Sequence, residues 1–499
     1  MGAAAESAMF RSRSSVYFVG IKGAGVCALA ELLRAAGMET RGSDTGEVFH
    51  TDAILRDLGI PFHETFDRAH ITDDIDLVIH SAAYSTENNA ELAEARARSI
   101  PTATYPEALG AYSAAFDSSG IAGVHGKTTT AAMCGCLARA LGLPAQVLAG
   151  SAARDFGGRS TLALGSKYFI AETCEYRRHF LAFRPRRIVL TSVESDHQDC
   201  FPTYESIRDA FVDYCRLLPP GGLVVYCADD PGAREVARAV ESESRGIALE
   251  PYGFSAEGKW RVETYEARDG RASFRLAAFP EELRLRVPGR HQAQNAAAAL
   301  ALCGSLLEEE HGDGCWTERR RAAAREALEA FSGTKRRSET LGAAGGILFM
   351  DDFAHHPTAI RATIEGLRAF HPSRRIVASF MPHTFSRTAA LLDEFASALS
   401  LADALFLHKI YASARESFDG QVSGLSLLEK AESLRGAKPA PLLYYADEPL
   451  DALPPLEKFL EPGDLFVTLG AGDNRALGER LFERFSRPAR PPKSEEAPQ

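Results

Sequence analysis

Gly120-Ile121-Ala122-Gly123-Val124 reads as a strand that runs into His125-Gly126-Lys127-Thr128-Thr129-Thr130, and a helical stretch through Leu141 follows, stopped by Gly142. A loop of this type turns backbone N–H groups toward phosphates. Its lysine brings a point charge to the β/γ-phosphates, and the threonine hydroxyl can ligate Mg²⁺. The spacing is not the full G-x-x-x-x-G-K-T, because Ile121 stands where the first glycine would be. A strand before and a helix after is the context that separates such a loop from a chance Gly-Lys-Thr helix start.

Downstream, two apolar runs end in candidate ligands. Tyr168-Phe169-Ile170-Ala171 leads to Glu172-Thr173-Cys174-Glu175, and Ile188-Val189-Leu190 leads through Thr191-Ser192-Val193 to Glu194-Ser195-Asp196-His197. Strands alternating with helices predict a parallel sheet, whose carboxyl ends converge on one crevice. Glu172 and His197 would then face phosphates held by Lys127. Mg²⁺ favours carboxylate and hydroxyl oxygens; a histidine is a less usual ligand and could equally polarise a bound water. By spacing alone, acids that simply cap helices explain the pattern as well. From Lys259 to Val287, alternation around Asp269-Gly270 predicts a hairpin, an antiparallel addition.

Upstream, the strand Val16–Val19 enters Gly20-Ile21-Lys22-Gly23-Ala24-Gly25, then a helix closed by Gly37. A second strand leads to Gly42-Ser43-Asp44, and a later one, Asp76–His80, ends at Ser81. This is the plan of a nucleotide-binding α/β unit with an acid placed for a ribose. The loop order is G-x-x-G-x-G, so an NAD enzyme and a nucleotide-sugar binder fit it equally. The third segment is again α/β, with strands at Ile347–Met350, Ile376–Phe380, Ala404–Leu407 and Leu465–Leu469. Asp351-Asp352-Phe353-Ala354-His355-His356-Pro357 and Pro382-His383-Thr384-Phe385-Ser386-Arg387 follow two of these strands. Such polar clusters are costly unless paired, and Arg387 suits a carboxylate or phosphate. Lys335-Arg336-Arg337 reads either as a solvated linker or as a reach toward a nucleotide.

Length agrees with this division: 499 residues predict about three domains. We place them at 1–116, 117–332 and 333–485, with 486–499 a disordered, proline- and charge-rich tail. No apolar run approaches the roughly 18–20 residues of a membrane span, and Met1–Ser15 lacks the apolar core of a signal peptide. A cytoplasmic protein without a membrane partner is expected. A net charge of −11 without a long basic run argues against nucleic-acid binding. The nine cysteines show no disulfide or zinc spacing, so reduced thiols are expected. Oligomeric state is not legible.

Together these residues resemble the Mur ligases of bacterial cell-wall synthesis, over roughly residues 16–480. The family's G-T-H-G-K-T-T-T is Gly123 to Thr130 here. Its first-domain loop and G-S-D are Gly20–Gly25 and Gly42-Ser43-Asp44, and its E-x-x-E and E-x-D-H are Glu172…Glu175 and Glu194…His197. G-x-H-N-x-x-N is Gly289 to Asn295, and the R-R and D-D-Y-G-H-H-P elements are Arg336-Arg337 and Asp351–Pro357. The resemblance implies an α/β chain of three domains: Rossmann-like, a central P-loop ATPase-type parallel sheet with an antiparallel addition, and Rossmann-like again. It implies an ATP-dependent ligase that joins L-alanine to the carboxylate of UDP-N-acetylmuramate through an acyl phosphate, with Mg²⁺ (or Mn²⁺ in its place).

It also implies roles. Gly23, Ala24, Gly25, Ser43, Asp44, Ser81 and Glu175 would bind the UDP-sugar. Gly123, Val124, His125, Gly126, Lys127, Thr128, Thr129, Asn295, Arg337 and Asp352 would bind ATP. Thr128, Glu172 and His197 would hold metal, and Phe353, His355 and Arg387 the amino acid. Lys127, Glu172, His197 and His355 would carry the chemistry, His355 as acceptor of the amine's proton. Three departures stand out: Gln292 for an asparagine, Thr384 for an arginine, and Phe353 for a tyrosine. Phe353-Ala354 is similar to the branch that attaches a recycled tripeptide to the same sugar nucleotide, which is the alternative activity. A rival of another class, an NAD(P)-dependent oxidoreductase, explains the first glycine loop and Asp44 but not Lys127, Thr128 or the acid–histidine strand ends.

Overall fold

The computed structural model describes residues 9–11, 13–412, 422–433 and 442–487. The expected tail lies outside the described residues from 488 onward; Ser486 closes the last helix, Asn474–Ser486. The chain divides into two compact units, one comprising residues up to Glu266 with Arg271–Lys335, the other Ala267–Gly270 with Arg336 onward.

The first unit holds two largely parallel sheets. Strands β1 (Ser15–Val19), β2 (Glu39–Ser43), β3 (Phe62–His63), β4 (Leu77–His80) and β5 (Thr102–Thr104) lie in the order β3-β2-β1-β4-β5, all parallel. β1 is buried along its whole length, as a central strand covered on both faces must be. Helix Ala24–Ala35 lays Val26, Leu29, Leu32 and Leu33 into the core. The strand order reverses direction at β1, so the Gly20–Gly25 loop opens at the switch point where α/β sheets bind ligands.

The second sheet comprises β6 (Asp117–Ala122), β7 (Ala145–Ala153), β8 (Arg159–Ala163), β9 (Tyr168–Glu172), β10 (Arg187–Leu190), β11 (Leu223–Cys227) and β12 (Ala248–Tyr252). Their order is β12-β11-β10-β6-β9-β7-β8, parallel except for β7 with β8. β6 therefore lies between β9 and β10, and the segments leaving all three emerge side by side. Helix Lys127–Leu141 continues from the β6 loop and Gly142 ends it at φ 71°. The alternating stretch forms a three-stranded antiparallel sheet of β13 (Val262–Arg268), β14 (Arg271–Leu276) and β15 (Leu283–Leu285). Asp269 (φ 51°) and Gly270 (φ 78°) make the turn of positive φ that a two-residue hairpin needs.

The second unit is a sheet of β16 (Glu339–Ala344), β17 (Ile347–Asp352), β18 (Ile376–Met381), β19 (Ala404–Leu407), β20 (Leu442–Tyr445) and β21 (Leu465–Gly470). Its order is β16-β17-β21-β18-β19-β20, parallel except for β16 with β17. One face is packed by Ile360, Ile364, Leu367, Phe395 and Leu399, the other by Leu453, Leu456, Leu477 and Leu481. β17 runs two residues beyond the expected Met350. Asp351 can be buried in the strand because Arg336 (3.2 Å), Arg475 (3.0 Å) and the Thr468 hydroxyl (2.7 Å) surround its carboxylate.

Candidate active site

The loop after β6 has glycine where nothing larger fits. A Cβ on Gly123 (φ 135°) would lie 2.1 Å from Thr191 Oγ1, and one on Gly126 (φ 81°) 2.6 Å from Asn295 Oδ1. The loop is tied to the segment leaving β10: Val124 N–H donates to the Ser192 carbonyl (3.0 Å) and His125 N–H to the Ser192 hydroxyl (2.8 Å). His125 also pairs through Nε2 with Glu194. Thr129 is buried in the first helical turn.

Lys127 folds back over this loop. Its ammonium donates to the Gly123 carbonyl and lies 2.9 Å from Glu175 Oε2. Burial would lower its pKa, but Glu175 and Glu172 outweigh burial and hold it above the ordinary lysine value. Burial would likewise raise Glu175; Lys127, with His197 behind it, holds the carboxyl below its usual range. His197 approaches the same carboxylate at 3.6 Å and Asp196 at 3.8 Å, from a backbone at φ 54°. Beside this trio, the Thr128 hydroxyl donates to Glu172 Oε2 at 2.7 Å. Lys127, Thr128, Glu172, Glu175 and His197, from three separate strand ends, thus form one cluster. Gly150 of β7 completes it, because a Cβ there would lie 2.1 Å from Glu172 Oε2; no local motif marks Gly150 in the sequence.

Asn295 joins from helix Arg290–His311. Its Oδ1 accepts from Thr130 (3.3 Å), and its Nδ2 donates to Gln292 Oε1 (3.2 Å). The longer reach of Gln292 lets its other end contact His291 Nε2 at 3.1 Å.

At the first glycine loop, Gly23, Ala24 and Gly25 open the helix, and Ser81 is partly exposed after β4. The Ser43 hydroxyl donates to buried Glu91, which also accepts from Tyr17 (3.0 Å) and meets His70 Nδ1 (2.7 Å). Asp44 accepts from the N–H groups of Lys22 (2.7 Å) and Thr45 (2.8 Å). Both side chains are therefore engaged within the protein. Lys22 and Glu91 were not singled out in the sequence, since nothing local reveals that distant partners bury them.

In the second unit, Asp352 accepts from Ser338 N–H (2.7 Å) and hydroxyl (2.9 Å) and from Ala354 N–H (2.8 Å). Its pKa is raised, burial prevailing over Arg337. The guanidinium groups of Arg336 and Arg337 stand 4.9 and 5.8 Å from the Phe353 ring centre. His355 Nδ1 meets the Phe353 carbonyl at 2.7 Å, and its ring lies 5.5 Å from that of His383. Arg387, though buried, directs Nη1 at His383 Nδ1 (3.0 Å) and carbonyl (3.2 Å). The structure thus groups Phe353, His355 and Arg387, and adds His383, which is stacked 6.0 Å from Tyr411.

Family sequence models match in three consecutive blocks: "Mur ligase family, catalytic domain" over residues 15–117, "Mur ligase middle domain" over 121–303, and "Mur ligase, glutamate ligase domain" over 336–472. Two curated relatives carry the name UDP-N-acetylmuramate–L-alanine ligase. That of Treponema pallidum is 49% identical over 470 residues, 94% of this chain and 96% of its own. That of Borreliella afzelii is 36% identical over 475 residues, 95% and 99% of the two chains. Among solved structures, the UDP-N-acetylmuramate–alanine ligase of Thermotoga maritima superposes with a TM-score of 0.74 at 26% identity, covering 94% of this chain and 99% of that one. A murein peptide ligase of Psychrobacter arcticus shares the fold at a TM-score of 0.64 and 22% identity, over 96% and 100% of the two chains. Identity at this level over nearly the whole length, on the same succession of sheets, leaves one conclusion: the chain belongs to the Mur ligase family.

Proposed function

We propose that this protein is an ATP-dependent ligase that joins L-alanine to the carboxylate of UDP-N-acetylmuramate in peptidoglycan precursor synthesis. The observation that carries the reading is the Lys127–Glu175–His197 cluster with the Thr128–Glu172 pair beside it, at the mouth of a glycine loop. The two named relatives supply the substrates. We divide the labour as 1–116 for the UDP-sugar, 117–332 for ATP and 333–485 for the amino acid. No described helix is long and apolar enough to cross a membrane, and a cytoplasmic enzyme of small-molecule substrates agrees with that.

A carboxylate does not condense with an amine in water, because oxide is a poor leaving group. Transfer of the γ-phosphoryl group of ATP to the sugar carboxylate gives an acyl phosphate and ADP. The amine then attacks the carbonyl, phosphate leaves, and the amine's proton must be accepted. Charge gathers first on phosphoryl oxygens and then on a tetrahedral oxyanion, so catalysis here is largely electrostatic. Backbone N–H groups of Gly126–Thr129, those of Val124 and His125 being held by Ser192, cradle the phosphates, and Lys127 exchanges Glu175 for phosphate oxygens when ATP arrives. Glu175, so released, is free for the sugar nucleotide. The Thr128 hydroxyl and the Glu172 carboxylate are oxygen donors within 2.7 Å of each other, and the absence of a side chain at Gly150 leaves Glu172 its place. They suit Mg²⁺, which when bound would neutralise phosphate charge; His197 would hold a second ion or its water. Asn295, Arg337 and Asp352 serve the nucleotide. Arg387 takes the amino-acid carboxylate, Phe353 packs beside it, and His355 accepts the proton.

The test is phosphate release from ATP and Mg²⁺ with UDP-N-acetylmuramate, across L-alanine, glycine, L-serine and the tripeptide. Release that needs both the sugar nucleotide and L-alanine is expected. Release with the tripeptide alone moves the protein to the recycling branch, and release without the sugar nucleotide refutes the reading.

A further inference from the structure

Between the two ligand-facing edges of the first unit stands a tyrosine that the reading above leaves without a task. Tyr105 opens helix Tyr105–Ser113, and a capping box fixes that start: Glu107 N–H donates to the Thr104 hydroxyl (3.4 Å), and Thr104 N–H to the Glu107 carboxylate (2.8 Å). The helix is held against the segment that follows Glu175, since a Cβ on Gly110 would lie 2.2 Å from the Ala182 carbonyl oxygen. Tyr105 reaches both edges. On one side, a Cβ on Gly25 would lie 2.8 Å from its Cζ and 2.9 Å from its hydroxyl oxygen, so the phenol rests on the first turn of helix Ala24–Ala35. On the other, its ring lines a cavity of about 60 Å³ with Leu109, Glu172, Cys174, Phe180 and Phe183. Among the described residues the Tyr105 hydroxyl has no hydrogen-bond partner, although the residue is half-buried. Burial, with Cys174 and Glu172 beside it, pushes its pKa up, so it stays a hydroxyl with a proton to donate.

We propose that Tyr105 and the cavity beside it form a subsite for the acetamido group of the sugar, the hydroxyl donating to the acetyl carbonyl and the methyl entering the cavity. The proposal rests on the sugar-nucleotide reading of this unit and deepens it by one chemical group. In UDP-N-acetylmuramate the diphosphate leaves C1 of the sugar, the lactyl carboxylate hangs from O3, and the acetamido group sits on C2 between them. With the diphosphate at Gly23–Gly25 and the carboxylate brought to the Glu172 strand end, the substituent between those anchors meets what lies between the two loops. That is Tyr105. Size agrees: about 60 Å³ is the share of roughly two water molecules in the liquid, enough for a methyl group and too little for a base or a sugar ring. Chemistry agrees as well. Leu109, Phe180 and Phe183 give the methyl an apolar wall, and a carbonyl oxygen satisfies a hydroxyl that otherwise goes unpaired.

The experiment measures Kd by calorimetry on the full-length protein, with Mg²⁺ and a non-hydrolysable ATP analogue present. The probes are UDP-N-acetylmuramate, its N-butyryl homologue, the analogue with a hydroxyl in place of the acetamido group, and UDP alone. Wild type is compared with Tyr105→Phe, which removes one oxygen atom, and with Leu109→Ala, which enlarges the cavity. Tyr105→Phe should weaken UDP-N-acetylmuramate about fivefold, the worth of one neutral hydrogen bond, and leave the hydroxyl analogue and UDP unchanged. Leu109→Ala should shrink the wild type's preference for N-acetyl over N-butyryl, a ratio that a loss of stability alone does not move. Equal losses on the acetamido and hydroxyl probes, or no loss on either, would overturn the role of the Tyr105 hydroxyl. An unchanged acetyl-to-butyryl ratio in Leu109→Ala would overturn the place of the methyl. A wild-type protein that binds none of the four probes would overturn the sugar-nucleotide reading itself, and this subsite with it.

Discussion

Replacing Gly150 by alanine separates catalysis from folding in this protein. The backbone at Gly150 is not in the left-handed region, so alanine meets no conformational penalty there. The new Cβ would lie 2.1 Å from Glu172 Oε2, 2.5 Å from Cδ and 2.6 Å from Oε1. An ordinary carbon–oxygen approach is about 3.3 Å, so the carboxylate must withdraw by about 1 Å. It can do so, because Glu172 is half-buried and its side chain ends in a flexible carboxylate. The movement breaks the 2.7 Å bond from Thr128, at a cost to stability of about 1 kcal/mol for a half-exposed partner. Catalysis loses more. A displacement of that size at the carboxylate we propose as a Mg²⁺ ligand beside the transferring phosphoryl costs roughly a hundredfold in kcat, about 2.7 kcal/mol of transition-state stabilisation. The assay is phosphate release at saturating substrates beside a thermal melt. Gly150→Ala is expected to melt within a few degrees of the wild type and to turn over roughly a hundredfold more slowly. A variant with wild-type kcat would refute the proposed role of Glu172 as a metal ligand, and an unfolded one would refute the claim that its side chain can yield.

Lys127→Met should abolish turnover while leaving UDP binding intact, which calorimetry can check. It also reverses a pH dependence. In the wild type Glu175 lies below its usual range, so its contribution is present above about pH 4 and is lost only as pH falls through its lowered pKa. Without the ammonium, burial raises Glu175, and the stability gap to the wild type should widen as pH rises from 4 to 8, read by paired melts. His408, buried between Ser379 (2.8 Å) and the Ala446 carbonyl (2.9 Å), has its pKa lowered to about 4 by burial. Its contribution is complete above about pH 6.5 and lost as pH falls through about 4, a loss of about 3 kcal/mol that His408→Gln should remove from the acid limb of a pH–stability curve. Arg387→Met should raise the KM for L-alanine roughly thirtyfold, from one charge-assisted bond of about 2 kcal/mol, with the ATP KM unchanged; equal rises in both would refute its placement at the amino acid.

The parts of the site that could be read from the sequence are those whose neighbours lie close along the chain. Gly123 to Thr130 carries its own meaning, since a loop of N–H groups, its lysine and the helix that follows are one local unit. Asp269-Gly270 likewise announces its turn, because only certain residues accept two positive φ angles in succession. The strand ends at Glu172 and His197 were readable as positions, and an alternating strand–helix pattern allowed them to be placed at one edge of a sheet.

What those residues touch was not readable. That Lys127 rests on Glu175 and that Glu175 is shared with His197 depend on β6 lying between β9 and β10, an order that no local pattern encodes. Ser43 and Asp44 were legible as ligand-facing side chains. That they also bond to Glu91 and to the backbone N–H of Lys22 was not legible, because buried polar groups find partners wherever packing brings them. Gly150 and Lys22 show the same limit from the other side. One matters for the volume it leaves to a carboxylate on another strand, the other for a loop more than twenty residues away. Local chemistry and periodicity determine which elements form and where phosphate can be bound. Long-range packing, which alone sets distances between strand ends, determines which charges meet and which are spent on holding the site in shape.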